Sequence, residues 1–176
     1  MKIVVTDSGS LKSHNDLSLH VLNQFGTVVE YAGITREELL KEVVDTDVLL
    51  CNKTVIDREV MSVGNTLKYV GLFATGYNNI DIDCAKEKGI VVANAGSYST
   101  NAVAQQTIAY ILNHYTKISE YDSFVKAGGW QKATVFSPLV YATDEVFSKT
   151  IGLIGYGSIA KAVEKIAVAM GMKVLV

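Results

Sequence analysis

TIGLIGYGSIA, residues 150–160, is the stretch that decides the fold. Ile151 to Ile154 is a short apolar run of strand composition. Glycines follow at 155 and 157, and a small residue stands at 160. Ile159, Val163, Ile166, Ala167 and Met170 then give the apolar face of a helix. In that setting G-x-G-x-x-A reads as a dinucleotide-binding fingerprint. Gly155 can take the tight turn, Gly157 admits the backbone to hydrogen-bonding distance of a pyrophosphate, and Ala160 lets the helix lie close on the strand. The phosphates would sit on the helix N-terminus, where unpaired N–H groups and the dipole favour an anion. Gly171 ends the helix, and Met172 to Val176 is the second strand. In such folds an acid at the tip of that strand binds the ribose hydroxyls, and the sequence ends before one appears, so NAD and NADP both stay open. An ordinary βαβ unit whose glycines serve packing alone would carry the same letters.

Upstream, strand-like and helix-like runs alternate, the pattern of a parallel sheet covered by helices. Ile3 to Thr6 is a first strand, and Leu17, Val21, Leu22 and Phe25 mark a face of the helix expected after it. Val28 to Tyr31 is the next strand. Thr35 and Glu38 form a capping-box pair, followed by the stripe Leu39, Leu40, Val43 and Val44. Val48 to Cys51 is strand, Asp57 caps a short helix through Val63, and Tyr69 to Ala74 is strand again. Asp81 to Lys88 is a helix stopped by Gly89, and Ile90 to Ala93 is a fifth strand. The order of elements resembles a flavodoxin-like α/β domain. From Thr100 to about Ala127 the pattern predicts one long helix whose apolar positions Val103, Ile108, Ile111, Leu112, Tyr115 and Ile118 cover more than one face, as in a helix between two packed bodies. Trp130 to Phe147 has no clean period and reads as an irregular arm.

The 16 basic and 18 acidic residues form no long run of either sign, which nominates neither a nucleic-acid surface nor a membrane surface as partner. No apolar stretch reaches membrane-spanning length, and the first strand starts without a secretion signal. Cys51 and Cys84 have no metal-ligand spacing and read as buried reduced thiols, which suits a cytoplasmic protein, and no metal site is expected.

Ligands of doubly wound folds bind beyond the carboxyl ends of the strands. Three loops leave that edge: Asn52 to Thr54, Thr75 to Asn79, and Asn94 to Ser99. Each is rich in small polar residues and offers backbone N–H groups that can hold a carboxylate. Each also reads as an ordinary turn or cap, but three together at one edge favour a cleft. Lys53 is either a substrate cation or a solvated side chain. His14, His20 and His114 fall in helix-like stretches without a neighbouring carboxylate and read as satisfied or surface histidines. Arg36 and Arg58, the only arginines, stand near helix starts rather than at the carboxyl edge.

Four segments, LLCNKTVID at 49–57, LFATGYNNIDID at 72–83, NAGSYSTNAVAQQTIAYIL at 94–112 and GLIGYGSIAKAV at 152–163, resemble the D-isomer-specific 2-hydroxyacid dehydrogenases. The glycerate dehydrogenase (hydroxypyruvate reductase) members are most similar, VAQQT at 103–107 standing where VAE is commoner. The resemblance implies a flavodoxin-like substrate domain over 1–99, a linking helix and dimerisation arm over 100–147, and the start of a Rossmann NAD-binding domain over 148–176. It implies that the backbone at Thr75 and Gly76 contacts the substrate carboxylate, with Ser99 nearby. Thr107 then lies near the nicotinamide, and Gly155, Gly157, Ser158 and Ile159 at the pyrophosphate. The family's catalytic arginine, glutamate and histidine lie downstream of position 176, so the 176-residue chain is expected to be inactive by itself. The reaction implied is hydride transfer between NAD(H) and a short 2-oxo or 2-hydroxy acid, hydroxypyruvate/D-glycerate foremost, in a homodimer. Two rival readings are a non-catalytic ligand- or partner-binding module of the same fold and a purely structural or swapped assembly unit, since the short Rossmann segment leaves an apolar strand edge.

Overall fold

The computed structural model describes residues 1–12 and 16–176. The chain divides into two compact units, Met1–Gly96 and Ser97–Val176.

In the first unit β1 (Lys2–Val5), β2 (Thr27–Glu30), β3 (Val48–Cys51), β4 (Tyr69–Leu72) and β5 (Val91–Ala93) form one sheet in the order β2-β1-β3-β4-β5. Every pairing is parallel, with Val4 opposite Val29 and Leu49, and Leu50 opposite Gly71. This is a flavodoxin-like strand order, the fold class that the order of elements resembles, although the strand order itself is not written in the sequence. Apart from Lys2 at the start of β1, the three inner strands are apolar because both of their faces are covered. Val4, Val5, Leu49, Cys51 and Val70 have no exposure at all. Helices α1 (Arg36–Glu42), α2 (Arg58–Val63) and α3 (Ile82–Lys88) supply Leu39, Val60, Met61, Cys84 and Ala85 to the same core. Their starts follow the predicted chemistry. Thr35 and Glu38 close a reciprocal capping box, Asp57 accepts from the Val60 N–H, and Asp81 accepts from the Cys84 N–H at 2.8 Å. Each cap satisfies a helix N–H left without an intrahelical partner.

The helix expected between β1 and β2 does not form among the described residues. His20–Gln24 is a short 3₁₀ helix, and Leu17, Val21 and Phe25 are 42%, 62% and 57% exposed. The His20 N–H bonds Ser18 Oγ instead, and such a side-chain-to-backbone bond competes with the helical ladder. His14 lies outside the described residues.

In the second unit β6 (Thr150–Gly152) and β7 (Lys173–Leu175) pair in parallel around α6 (Ser158–Ala169), a βαβ unit. The predicted long helix is two helices, α4 (Thr100–Thr116) and α5 (Ile118–Lys126), because Lys117 adopts a left-handed conformation at φ 56°. Asn113 stabilises the break. Its carbonyl accepts from the Lys117 N–H, and its side chain accepts from the N–H and the hydroxyl of Ser119, at the start of the new helix. α4 packs Ala104 and Ile108 against Val163 of α6, with Ile111, Leu112, Ile151 and Leu153 at the margin. Its second apolar side is open, Val103 and Tyr110 being exposed. The arm over 130–147 contains no regular element and leaves Phe136 86% and Leu139 90% exposed.

Candidate functional site

Because β1, β3, β4 and β5 are parallel, the loops that follow them emerge at one edge of the first unit. The loop after β4 is braced by the loop after β5. Thr75 Oγ1 donates to the Gly96 carbonyl at 2.6 Å, Asn94 Nδ2 donates to the Thr75 carbonyl at 2.7 Å, and the Ala95 N–H bonds the Ala74 carbonyl at 3.0 Å. With its carbonyl and hydroxyl engaged, the Thr75 backbone is held in place. Thr75 and Gly76 are exposed residues, and neither N–H donates to a described residue. Two adjacent unbonded N–H groups on a braced loop are donors of the kind that can hold a small carboxylate.

The loop after β3 behaves differently. The N–H groups of Asn52, Lys53 and Thr54, offered by the sequence as carboxylate donors, already hold one, the side chain of Asp7 just past β1. Sequence reading passed over Asp7, and the signal that would have found it is an acid placed directly after the first strand, at the edge where the donor loops gather. Lys53 projects from this loop, exposed and without an ion pair among the described residues.

In the second unit the fingerprint adopts the expected shape. Gly155 has φ +88°, a conformation that side chains rarely adopt, and Gly157 is the N-cap of α6 with no side-chain cap bond. The first N–H groups of α6, at Ser158, Ile159 and Ala160, donate to no described residue, the ladder beginning with Lys161 to the Gly157 carbonyl. A Cβ built on Gly155 or Gly157 meets nothing within 4 Å. An open cleft of about 470 Å³ brings Thr107 together with Gly155, Gly157, Ser158 and Ile159. A twelve-residue helix with a free N-terminus, facing open space bordered by glycines, fits a dinucleotide pyrophosphate. Thr107 Oγ1 bonds back to the Val103 carbonyl at 2.8 Å, which fixes its rotamer on α4. Ser99 is the N-cap residue of α4, makes no cap bond through its side chain, and stands outside the cleft lining, about 12 Å along the chain direction from Thr107 at 1.5 Å per residue. Thr75 and Gly76 belong to the first unit, and the fingerprint cluster and Ser99 to the second.

Other charged groups are engaged structurally. Arg36 pairs with Asp57 and Glu59, and Arg58 with Glu87. His114 packs edge-on against Tyr115, and neither it nor His20 forms an ion pair with a carboxylate among the described residues. Tyr156, inside the fingerprint, bonds Glu164 through its hydroxyl and lies under the Lys161 ammonium at 5.4 Å. No helix among the described residues is long and apolar enough to cross a membrane.

The described chain is thus a parallel α/β unit with a donor-rich carboxyl edge, followed by a βαβ unit with an open glycine turn. The chain belongs to the D-isomer specific 2-hydroxyacid dehydrogenases, whose catalytic domain matches residues 3–174. It is 39% identical over 178 residues to a hydroxypyruvate reductase of Blautia hydrogenotrophica, covering 99% of this chain and 55% of that protein. Among solved structures, a Thermus thermophilus protein superposes with a TM-score of 0.82 at 28% identity, over 99% of this chain and 55% of its own. An acyclic imino acid reductase in complex with NADPH and D-Arg gives a TM-score of 0.77 at 30% identity, over 98% of this chain and 54% of its own. The chain thus spans about half the length of these relatives.

Proposed function

We propose that the chain is the amino-terminal portion of an NAD-dependent D-2-hydroxyacid dehydrogenase acting on a short 2-oxo or 2-hydroxy acid, with hydroxypyruvate/D-glycerate as the preferred pair. In this reading residues 1–99 are the substrate domain, 100–147 the linking helix and dimerisation arm, and 148–176 the beginning of the Rossmann domain. The observation that carries it is the cleft of the second unit, where open glycine positions, unbonded α6 amides and Thr107 meet. When bound, the nicotinamide supplies or accepts the hydride. The amides of Ser158 and Ile159 hold the pyrophosphate, Gly157 leaves room for it, and Thr107 borders the nicotinamide. The Thr75 and Gly76 N–H groups hold the substrate carboxylate, with the Ser99 hydroxyl as a further polar contact. NADP is the alternative cofactor, the imino acid reductase being a relative that holds NADPH. A cytoplasmic location belongs to the same reading, supported by the two free, buried cysteines.

The test is an amide-resolved NMR titration of the 176-residue chain with NAD. The expected result is weak binding, dissociation constants nearer 1 mM (about −4 kcal/mol) than 1 μM, with shifts concentrated at Thr107 and Gly155 to Ala160. Shifts absent there at saturating NAD, or centred elsewhere, would refute the assignment. No proton donor for the C2 oxygen is placed by a His–carboxylate pair among the described residues. NADH oxidation with hydroxypyruvate or glyoxylate is therefore expected to stay at background, and steady-state turnover lost on Gly155→Arg would contradict this.

A further inference from the structure

In the sheet order β2-β1-β3-β4-β5 the direction of winding reverses between β1 and β3, and a doubly wound sheet usually opens its ligand crevice at that switch point. Here the chain closes the crevice with its own carboxylate. Asp7 Oδ1 accepts from the Asn52 N–H at 2.8 Å, and Oδ2 accepts from the N–H groups of Lys53 at 2.5 Å and Thr54 at 3.0 Å. The Thr6 hydroxyl adds a contact to Oδ1 at 3.2 Å, and Asn52 Nδ2 ties the same loop to Ser10 Oγ at 2.9 Å. Three successive amides converging on one acceptor are the donor set of a bound anion.

The clamped loop is fastened onward to its neighbour. Asn79 Nδ2 donates to the Thr54 carbonyl at 2.8 Å, and the Asn79 carbonyl accepts from the Ile56 N–H at 2.9 Å. Asn79 ends the loop that carries the unbonded Thr75 and Gly76 amides. A continuous hydrogen-bonded path therefore runs from the Asp7 carboxylate through residues 52–56 to residues 75–79.

We propose that Asp7 is a positioning residue: an internal anion that fills the switch-point amides and, through Asn79, sets the backbone of the 75–79 loop. What that loop binds rests on the function proposed above, whereas the coupling between the two loops does not. The small substrate is in this way directed away from the β1/β3 crevice to the amides beside β4.

The experiment is amide-resolved NMR and hydrogen exchange on the 176-residue chain without substrate. Asp7→Ala should shift the signals of Asn52 to Thr54 and of Thr75 to Asn79, and speed exchange at 52–54 by about tenfold or more. Excess formate should restore both sets, as a free carboxylate taking the vacated place; a merely structural defect would not be reversed in this way. Formate added to the unaltered chain is the control for direct effects at Thr75 and Gly76. In an Asn79→Ala background, Asp7→Ala should still disturb 52–54 but no longer reach 75–79. If Asp7→Ala does not fold, Asp7→Asn, which keeps the shape and removes the charge, gives the same two-loop comparison. Signals at 75–79 unchanged in the Asp7 variant, or changes that formate does not reverse, overturn the proposal. A separate glyoxylate titration of the unaltered chain reads the substrate assignment: no shift at Thr75 and Gly76 would remove that assignment and leave the Asp7 coupling standing.

Discussion

Gly155 and Gly157 share a motif but should respond to alanine in opposite ways. Gly155 sits at φ +88°, and an L residue held in the left-handed region costs about 1–2 kcal/mol, so Gly155→Ala weakens the turn whether or not a ligand is present. Gly157 sits at φ −86°, ψ −166°, which any residue adopts, and an added Cβ meets nothing within 4 Å. Two small effects act on the free chain. Alanine is a poorer N-cap than glycine by about 0.5–1 kcal/mol, and it lowers the entropy of the unfolded chain by a stabilising 0.4–1 kcal/mol or so. They offset, and Gly157→Ala should leave stability within about 0.5 kcal/mol of the parent. The methyl group then points into space that only a ligand would fill. A pyrophosphate kept from close approach loses about 1.4 kcal/mol, a tenfold weaker affinity. The assay pairs hydrogen exchange at the Ile166 and Ala167 amides of α6, which reads the stability of the second unit, with NADH titration. Gly157 is not a ligand-facing glycine if Gly157→Ala binds as tightly as the parent, or if it destabilises α6 by more than about 2 kcal/mol, the mark of a packing glycine.

Three further outcomes are expected. The Glu42 carboxyl is held below its ordinary value of 4.5 by the Lys2 ammonium and then by the Tyr31 hydroxyl at 2.6 Å, and its side chain is 19% exposed. A depressed carboxyl stabilises the fold above that ordinary value and loses the contribution as pH falls through its folded value. Glu42→Gln should cost about 1–2 kcal/mol in urea titrations at pH 7, the gap closing in acid below 4.5; a pH-independent gap would dismiss the ion-pair account. The Cys51 thiol is pushed up to about 12 by burial and then by the Asp7 charge, so at pH 8 it stays protonated and unreactive. A disulfide reagent should find no reactive thiol in the native chain and two after denaturation, and rapid release of one equivalent from native protein would contradict the buried assignment. The open apolar surface of the second unit, with Ile118, Phe136, Leu139 and Phe147 60–90% exposed, should be covered by a second copy. Each large side chain left in water forgoes roughly 1.5–3 kcal/mol, so light scattering at micromolar concentration should give a dimer, and a sharp monomer mass would reject the interface.

The parts of this molecule legible in its sequence are those fixed by local chemistry. The capping residues Thr35, Asp57 and Asp81 and the left-handed stop at Gly89 act within a few residues of themselves, and the inner strands announce burial on both faces by apolar runs such as Ile3 to Val5 and Val48 to Cys51. The fingerprint was legible for the same reason, its glycines and helix being contiguous. Periodicity misled where side-chain hydrogen bonds decide the backbone. Leu17 to Phe25 has a helical stripe, yet Ser18 takes the His20 N–H, and the apolar run through Lys117 conceals a break that Asn113 caps from one turn earlier. The Asp7 clamp lay further out of reach, since its partners are 45 to 47 positions away and meet it only because β1 and β3 are neighbours in the sheet. Sequence shows which loops are rich in donors; only the strand order shows which donors are already engaged. The same distinction separates the two donor sets at this edge: the amides at 52–54 are engaged by the chain's own carboxylate, and those of Thr75 and Gly76 donate to no described residue.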